Sequence, residues 1–357
     1  MSDLLAKKIE KQSVKEKTLL RVLRGEVLES PPIWLMRQAG RYLPEYREVR
    51  GGVSGFLELC YTPEKAVEVT LQPIRRFGFD AAILFADILL LPHALGQGLT
   101  FEEGEGPKLD AIKDMGGVAG LNFERIDQHL KPVYETVKRL RRELPGETAL
   151  IGFAGAPWTV ATYMVEGGSS RDFVNVKKWA FARPDDFDCL IDLLVRGTVH
   201  YLGGQIRAGA EVIQLFDTWA GVLPEEEFRR FVIAPTKRIV ESVKSMAPDV
   251  PVIGFPRGAG VFSEAYVKET GVDAVGLDSS VSLTWAAATL QPVCTVQGNL
   301  DPVLLLSGGK PMQQAAHRIL DALAGGPFIF NLGHGILPMT PPEHVADLFR
   351  WVRGWRA

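Results

Sequence analysis

The chain has 357 residues, 46% of them hydrophobic, and a formal net charge of −3 at pH 7. That is enough apolar material for a large core, and the slight acidity leaves no global basic field to draw in nucleic acid or an anionic membrane surface. An anionic ligand therefore has to be caught by a local cluster of cations.

Three cysteines, Cys60, Cys189 and Cys294, stand isolated, with no CxxC and no paired spacing. This argues for a reducing compartment and against a disulfide framework or a cysteine-rich zinc site. No apolar run approaches the roughly 18 residues needed to span a bilayer. The N-terminal stretch MSDLLAKKIEKQSVKEK mixes acids and lysines and has no apolar signal-peptide core, so a soluble cytoplasmic protein is expected, with residues 1–17 as a solvated arm.

In chain order, a short apolar run at 33–36 comes first and leads directly into Arg37, Gly40 and Arg41, in the stretch IWLMRQAGRYLPEY. An amphipathic helix follows over 63–77, where Ala66, Val69, Ile74 and Phe77 share a face and Gly78 acts as a stop. The next strand is expected at 81–85, with Asp87 just beyond it. The Gly-rich, acidic stretch GQGLTFEEGEGPKL at 96–109 interrupts the rhythm and reads as a hairpin-like insertion. A helical pattern at 122–144 then leads to a strand at 149–153 and GAPWT. Another at 184–209 leads to a strand at 212–216 and DTWAG. Further strands are expected at 252–255 (followed by PRGAG), 274–277, 293–296 and 328–331 (followed by GHG).

These eight runs are short and apolar on both sides of the alternation, as parallel strands covered on both faces should be. Alternation of strand and helix, eight times, favours a single-domain (β/α)₈ barrel over residues 18–357 rather than a doubly wound sheet. In such a barrel functional residues sit just after the strands, at the C-terminal mouth. Arg37, Arg41, Asp87, GAPWT, DTWAG, PRGAG and GHG all fall there.

The segments PPIWLMRQAGRYLPEYRE and GFAGAPWTVATYMVEG resemble the two signature segments of the uroporphyrinogen decarboxylase family. LFADIL, LFDTWAG, GNLDP and NLGHGILP resemble further family segments in the same order, so the resemblance extends from about Thr18 to near the C-terminus. It implies a (β/α)₈ barrel that pairs into a homodimer with facing mouths. It also implies a cofactor-free enzyme that converts the four acetate side chains of uroporphyrinogen III to methyls, giving coproporphyrinogen III.

The residues suit such a task. Arg37 and Arg41 offer planar forks of donors for carboxylates, each charge-assisted hydrogen bond contributing about 1.5–3 kcal/mol. Arg47 and Arg50 add to the field. The same pair read structurally would bridge loop carbonyls. Asp87 is either a helix N-cap or, as the resemblance implies, the anion that accepts pyrrole N–H groups and offsets a protonated ring.

Tyr163 is either a core aromatic or a hydroxyl reaching a substrate carboxylate or Asp87. His334, between Gly333 and Gly335, is either structural or a partner for a carboxylate or a proton. Thr218 stands where the family more often has Ser, and keeps the hydroxyl. Phe216, Ile83 and Phe85 are expected to line an apolar wall. The proton donor stays open: Arg37 is one candidate, although a guanidinium holds its proton to a pKa above about 12. A water held by Asp87, or a relay through His334 or Tyr163, is another.

Two other classes fit these residues less well. A zinc-dependent methyltransferase of the same barrel type would need His and Cys ligands, whereas the segment after the fifth strand reads GFPRGAG. A non-catalytic tetrapyrrole-binding barrel would be expected to have lost Arg37 or Asp87.

Overall fold

The computed structural model describes residues 16–102 and 106–356. Its strands are β1 (Ala81–Ile83), β2 (Leu99–Glu102), β3 (Gly106–Leu109), β4 (Ala149–Gly155), β5 (Val212–Asp217), β6 (Val252–Pro256), β7 (Ala274–Gly276), β8 (Thr295–Leu300) and β9 (Phe328–Leu332). Among the described residues, seven of them form one parallel sheet in the order β1-β4-β5-β6-β7-β8-β9. Every residue of β1, β4, β6, β7, β8 and β9 is buried, because helices cover the outer face and side chains fill the inner one. This is the expected single-domain α/β barrel.

The strand expected at 33–36 does not form. Ile33 makes only a single-residue parallel bridge to Phe330 of β9. On its other side the Ile33 carbonyl accepts Asp80 N–H at 3.0 Å, next to β1. One residue thus occupies the eighth position, between β9 and β1.

The sequence around it explains the loss. Pro31 and Pro32 have no N–H to give to a ladder. Three of the next four N–H groups are taken by side chains: Ile33 donates to Asp80 Oδ2 (2.7 Å), Leu35 to Gln38 Oε1 (3.1 Å) and Met36 to Asn331 Oδ1 (3.0 Å), while Trp34 N–H reaches Phe330 O at 3.4 Å. Inside the ring, Trp34 Nε1 donates to Gln297 Oε1 on β8 (2.9 Å). Gln297 Nε2 in turn donates to Gln214 Oε1 on β5 (3.3 Å), so side chains from distant strands meet across the interior.

The strand expected at 293–296 begins later, at Thr295, and runs on to Leu300. Val293 and Cys294 N–H groups bond back to the Leu290 carbonyl, finishing a helical turn, and the ladder opens with Thr295 N–H on Asp273 O. The helices expected near 63–77, 122–144 and 184–209 are present at Pro63–Phe77, Ile126–Glu143 and Pro184–Ala208. Gly78 ends the first of them in the left-handed conformation (φ +73°).

The 96–109 insertion is a hairpin: β2 and β3 pair antiparallel from Leu99↔Leu109 to Glu102↔Gly106. It docks through Leu109 N–H on Gly167 O (3.0 Å), beside the turn that follows Tyr163. Of the arm expected at 1–17, the first fifteen residues lie outside the described residues. Glu16 pairs with Arg24, and Lys17 Nζ donates to Thr148 O (2.8 Å) and Glu211 (2.6 Å).

Candidate active site

The residues singled out by sequence converge on the C-terminal mouth. The first segment supplies two conformations at once. Ile33–Met36 are buried, and the next residue, Arg37, is exposed. The cations therefore leave the core where the apolar run ends. Arg37 adopts φ +62°, a left-handed backbone that non-glycine residues rarely take and that costs on the order of 1 kcal/mol or more.

Space for its side chain comes from Gly335, where any Cβ would overlap Arg37 Cγ and Cδ. Gly333, on the other side of His334, abuts Ser279 backbone in the same way. Both glycines flanking His334 are thus needed for close packing. Gly40 has a lesser reason: a Cβ there would lie 3.1 Å from the Arg37 carbonyl.

The helix Pro44–Gly51 continues the loop and carries Arg47 and Arg50. Arg47 is spent on backbone, donating to the carbonyls of Arg41 (2.8 Å) and Tyr42 (3.2 Å), so it braces the loop. Arg41 is exposed, and its charge and that of Arg50 both act on the buried Tyr46 phenol. The side chains of Arg37 and Arg41 make no hydrogen bond or ion pair with the described residues, which leaves their donors for a ligand. Arg50 makes one long contact, to Val53 O at 3.5 Å.

Asp87 lies four residues past β1, partly accessible at the floor of the mouth. It is not an N-cap. Its Oδ1 accepts Leu89 N–H at 2.8 Å in a local turn, and the short helix Leu90–Leu95 begins after Leu89. Burial pushes its carboxyl up to about 6, opposed by the Leu89 hydrogen bond and by the charge of Arg37. Asp87 also acts on Cys60, as does Arg50, which places this carboxylate among the loop arginines.

Tyr163, on the helix Pro157–Glu166, has its phenol pushed up by burial. It senses Ser169, Asp87, Trp219 and Arg37, and its ring lies 6.2 Å from Trp219. His334 is half-buried after β9. Burial and the charges of Arg37 and Arg257 push its imidazole down to about 4, with Asp278 acting the other way. At neutral pH it is an uncharged ring that can both donate and accept.

Phe216 of β5 forms an edge contact with Phe255 of β6 (6.1 Å), whose ring in turn lies 6.5 Å from His334, so these rings form one apolar wall. Ile83 is buried in β1. Phe85 packs on Tyr46 (5.7 Å) and Phe56 (5.8 Å), under the arginine loop. Thr218 is half-buried between Asp217 and Trp219 at the end of β5 and is not hydrogen-bonded to any described residue.

Three residues escaped sequence reasoning. Asp217 is almost fully buried, accepts from Thr159 Oγ1 at 2.5 Å, and has its carboxyl pushed up to about 7 by burial. Thr159 Oγ1 also accepts Trp219 N–H (3.0 Å), so Asp217 fixes the turn that presents Thr218. Arg257 and Asp278 stand around His334 after β6 and β7. PRGAG carried a signal for the first of these, a cation just past a strand.

Known proteins resemble this chain along almost its whole length. The model of the uroporphyrinogen decarboxylase (URO-D) family matches residues 14–355. A curated uroporphyrinogen decarboxylase of Rhodospirillum rubrum is 60% identical over 341 residues, covering 96% of this chain and 98% of that protein. One from Sphingopyxis alaskensis is 56% identical over 338 residues, covering 95% and 98%. Among solved structures, a methyltransferase from Methanosarcina mazei superposes with a TM-score of 0.79 at 22% identity, over 95% of this chain and 99% of that one. At that identity it speaks for the fold alone.

Proposed function

The chain belongs to the uroporphyrinogen decarboxylase family, and from that premise we propose that it removes the four acetate carboxyl groups of uroporphyrinogen III as CO₂. Methyl groups remain, and the product is coproporphyrinogen III. The observation that carries the reading to these residues is Asp87: a carboxylate on the floor of the mouth, under the charge of Arg37 and within electrostatic reach of Tyr163.

Loss of CO₂ from an acetate arm leaves an electron pair on the methylene carbon. A pyrrole protonated on a ring carbon accepts that pair, so the substrate serves as its own electron sink and the reaction calls for no coenzyme. The methylene then takes up a proton to become methyl, and the ring carbon gives its proton back. Each cycle consumes one proton and releases one CO₂.

Asp87 accepts the pyrrole N–H groups and stabilises the transient ring cation, an interaction strengthened where bulk water is excluded. Arg37 and Arg41, with Arg50, grip peripheral carboxylates. Tyr163 and Thr218 supply hydroxyls, and neutral His334 hydrogen-bonds a carboxylate. Phe216, Ile83 and Phe85 keep the wall apolar. Arg37 contributes chiefly its field, because a guanidinium is a weak acid. The proton reaches the ring from water oriented by Asp87.

The chain acts as a homodimer in the cytoplasm, where its three thiols stay reduced. Exposed Val261 and Met339, on turns past β6 and β9, and Val303, on the short helix Pro302–Ser307 past β8, support an interface on the mouth side. Sedimentation analysis with Val261→Glu and Met339→Glu variants tests that arrangement.

The activity is tested by anaerobic incubation with chemically reduced uroporphyrin III, without added metal or coenzyme, followed by oxidation and chromatography. Hepta-, hexa- and pentacarboxylate species ending in the tetracarboxylate are expected. Unchanged octacarboxylate would refute the assignment.

A further inference from the structure

Resting on that reading, we propose that Arg257 binds a peripheral carboxylate of the tetrapyrrole on the side of the mouth opposite the Arg37 loop. A ring-shaped polyacid carries carboxylates around its whole rim. Arg37, Arg41 and Arg50 all come from one segment and can serve only one sector of it.

Arg257 stands across from them. Around the barrel, β1, β4 and β5 lie between the Ile33 position and β6 in one direction, and β9, β8 and β7 in the other. Arg257 directly follows β6 and is half-buried. Its charge acts on His334, the ring that Arg37 also acts on, so both guanidiniums lie within electrostatic range of one imidazole.

The backbone of Arg257 is held rigidly. Its N–H donates to Asp217 O (3.0 Å), and its carbonyl accepts Gly221 N–H (3.0 Å). The Gly221 and Gly258 backbones pack so closely that no Cβ fits at Gly221. The side chain, by contrast, makes no hydrogen bond or ion pair with the described residues.

The acid nearest in effect is Asp278, and its oxygens are already taken by Gly258 N–H (2.7 Å), Ser280 N–H (2.9 Å) and Ser280 Oγ (2.5 Å). A half-buried guanidinium on an anchored backbone, with no partner among the described residues, keeps its donors open to an anion. That is the condition of a preorganised carboxylate site.

The test compares the parent chain with Arg257→Ala, Arg257→Gln and Arg257→Lys, all checked by thermal melting. Two quantities are read: KM in the decarboxylation assay, and the dissociation constant of oxidised uroporphyrin III from fluorescence titration. Loss of one charge-assisted hydrogen bond should raise both about tenfold to a hundredfold in the Ala and Gln variants. Lys should recover most of the loss, and the melting midpoints should be close to the parent's.

Values within twofold of the parent in a folded Ala or Gln variant would overturn the assignment. A parent that binds uroporphyrin but releases no CO₂ would refute the decarboxylase reading instead, and the titration would still judge Arg257.

Discussion

At the residue scale, the proposed mechanism requires an ionised Asp87 to stabilise a cationic ring, and burial pushes its carboxyl up to about 6. The acid limb of kcat/KM should therefore fall below about pH 6. Arg37→Ala removes a charge that holds this carboxyl down, so the remaining activity should show that limb at higher pH. A pH–rate profile of both proteins checks this, and an unmoved limb would contradict it. The stability consequence has the opposite sign from that of an ordinary ion-paired aspartate. Because the folded-state value is raised, ionised Asp87 costs stability above about pH 6, and this cost disappears as pH falls towards the unfolded value of 3.8. Asp87→Asn should lose most turnover and yet be as stable as the parent at pH 7, or more stable by at most about 3 kcal/mol. Melting curves at pH 7 and pH 4 should show the difference narrowing.

At the element scale, barrel closure rests on one residue where a whole strand was expected, and Asp80 organises it. Its carboxylate accepts Ile33 N–H (2.7 Å), Thr18 Oγ1 (2.9 Å) and Arg353 Nη2 (2.7 Å), tying the N-terminal helix, the closing segment and the C-terminal helix to the start of β1. Asp80→Ala leaves all three donors without their acceptor and should cost about 3 kcal/mol, seen as a lower denaturant midpoint at unchanged m. The turn after β9 offers a paired test. Gly335→Ala collides with the flexible Arg37 side chain, which can move aside, so kcat/KM should drop at least tenfold with little change in melting temperature. Gly333→Ala collides with the backbone of Ser279, which cannot, so stability should fall as well.

At the scale of the whole molecule, the net charge of −3 hides a local reversal. On the proposed reading the arginines of the first loop attract a polyacid, and exposed Arg37 and Arg41 are open to screening by salt. Raising the salt concentration should therefore raise KM for uroporphyrinogen, even though chain and substrate are both acidic overall. A KM that falls with salt would mean that the global charge, and not the local cluster, governs encounter.

Alternation of apolar runs with amphipathic helices was by itself sufficient to place seven of the eight expected strands, because burial on both faces writes itself into composition along each strand. The seven strands of the sheet, the hairpin at 96–109 and the mouth position of Arg37, Asp87, Tyr163, Thr218 and His334 follow from that pattern and from the signature segments. The first strand was misread because its hydrophobicity resembles a strand's. What converts it to a single bridge is the competition of Asp80, Gln38 and Asn331 for its N–H groups, and two of those partners, Asp80 and Asn331, are distant in sequence. Arg257 and Asp217 stood in the sequence as a cation and an acid at strand ends, and they were passed over for a related reason: such a group is ordinary until folding shows whether its charge is answered. Local periodicity fixes which residues are buried; only tertiary contact decides which polar groups find partners and which are left for a ligand.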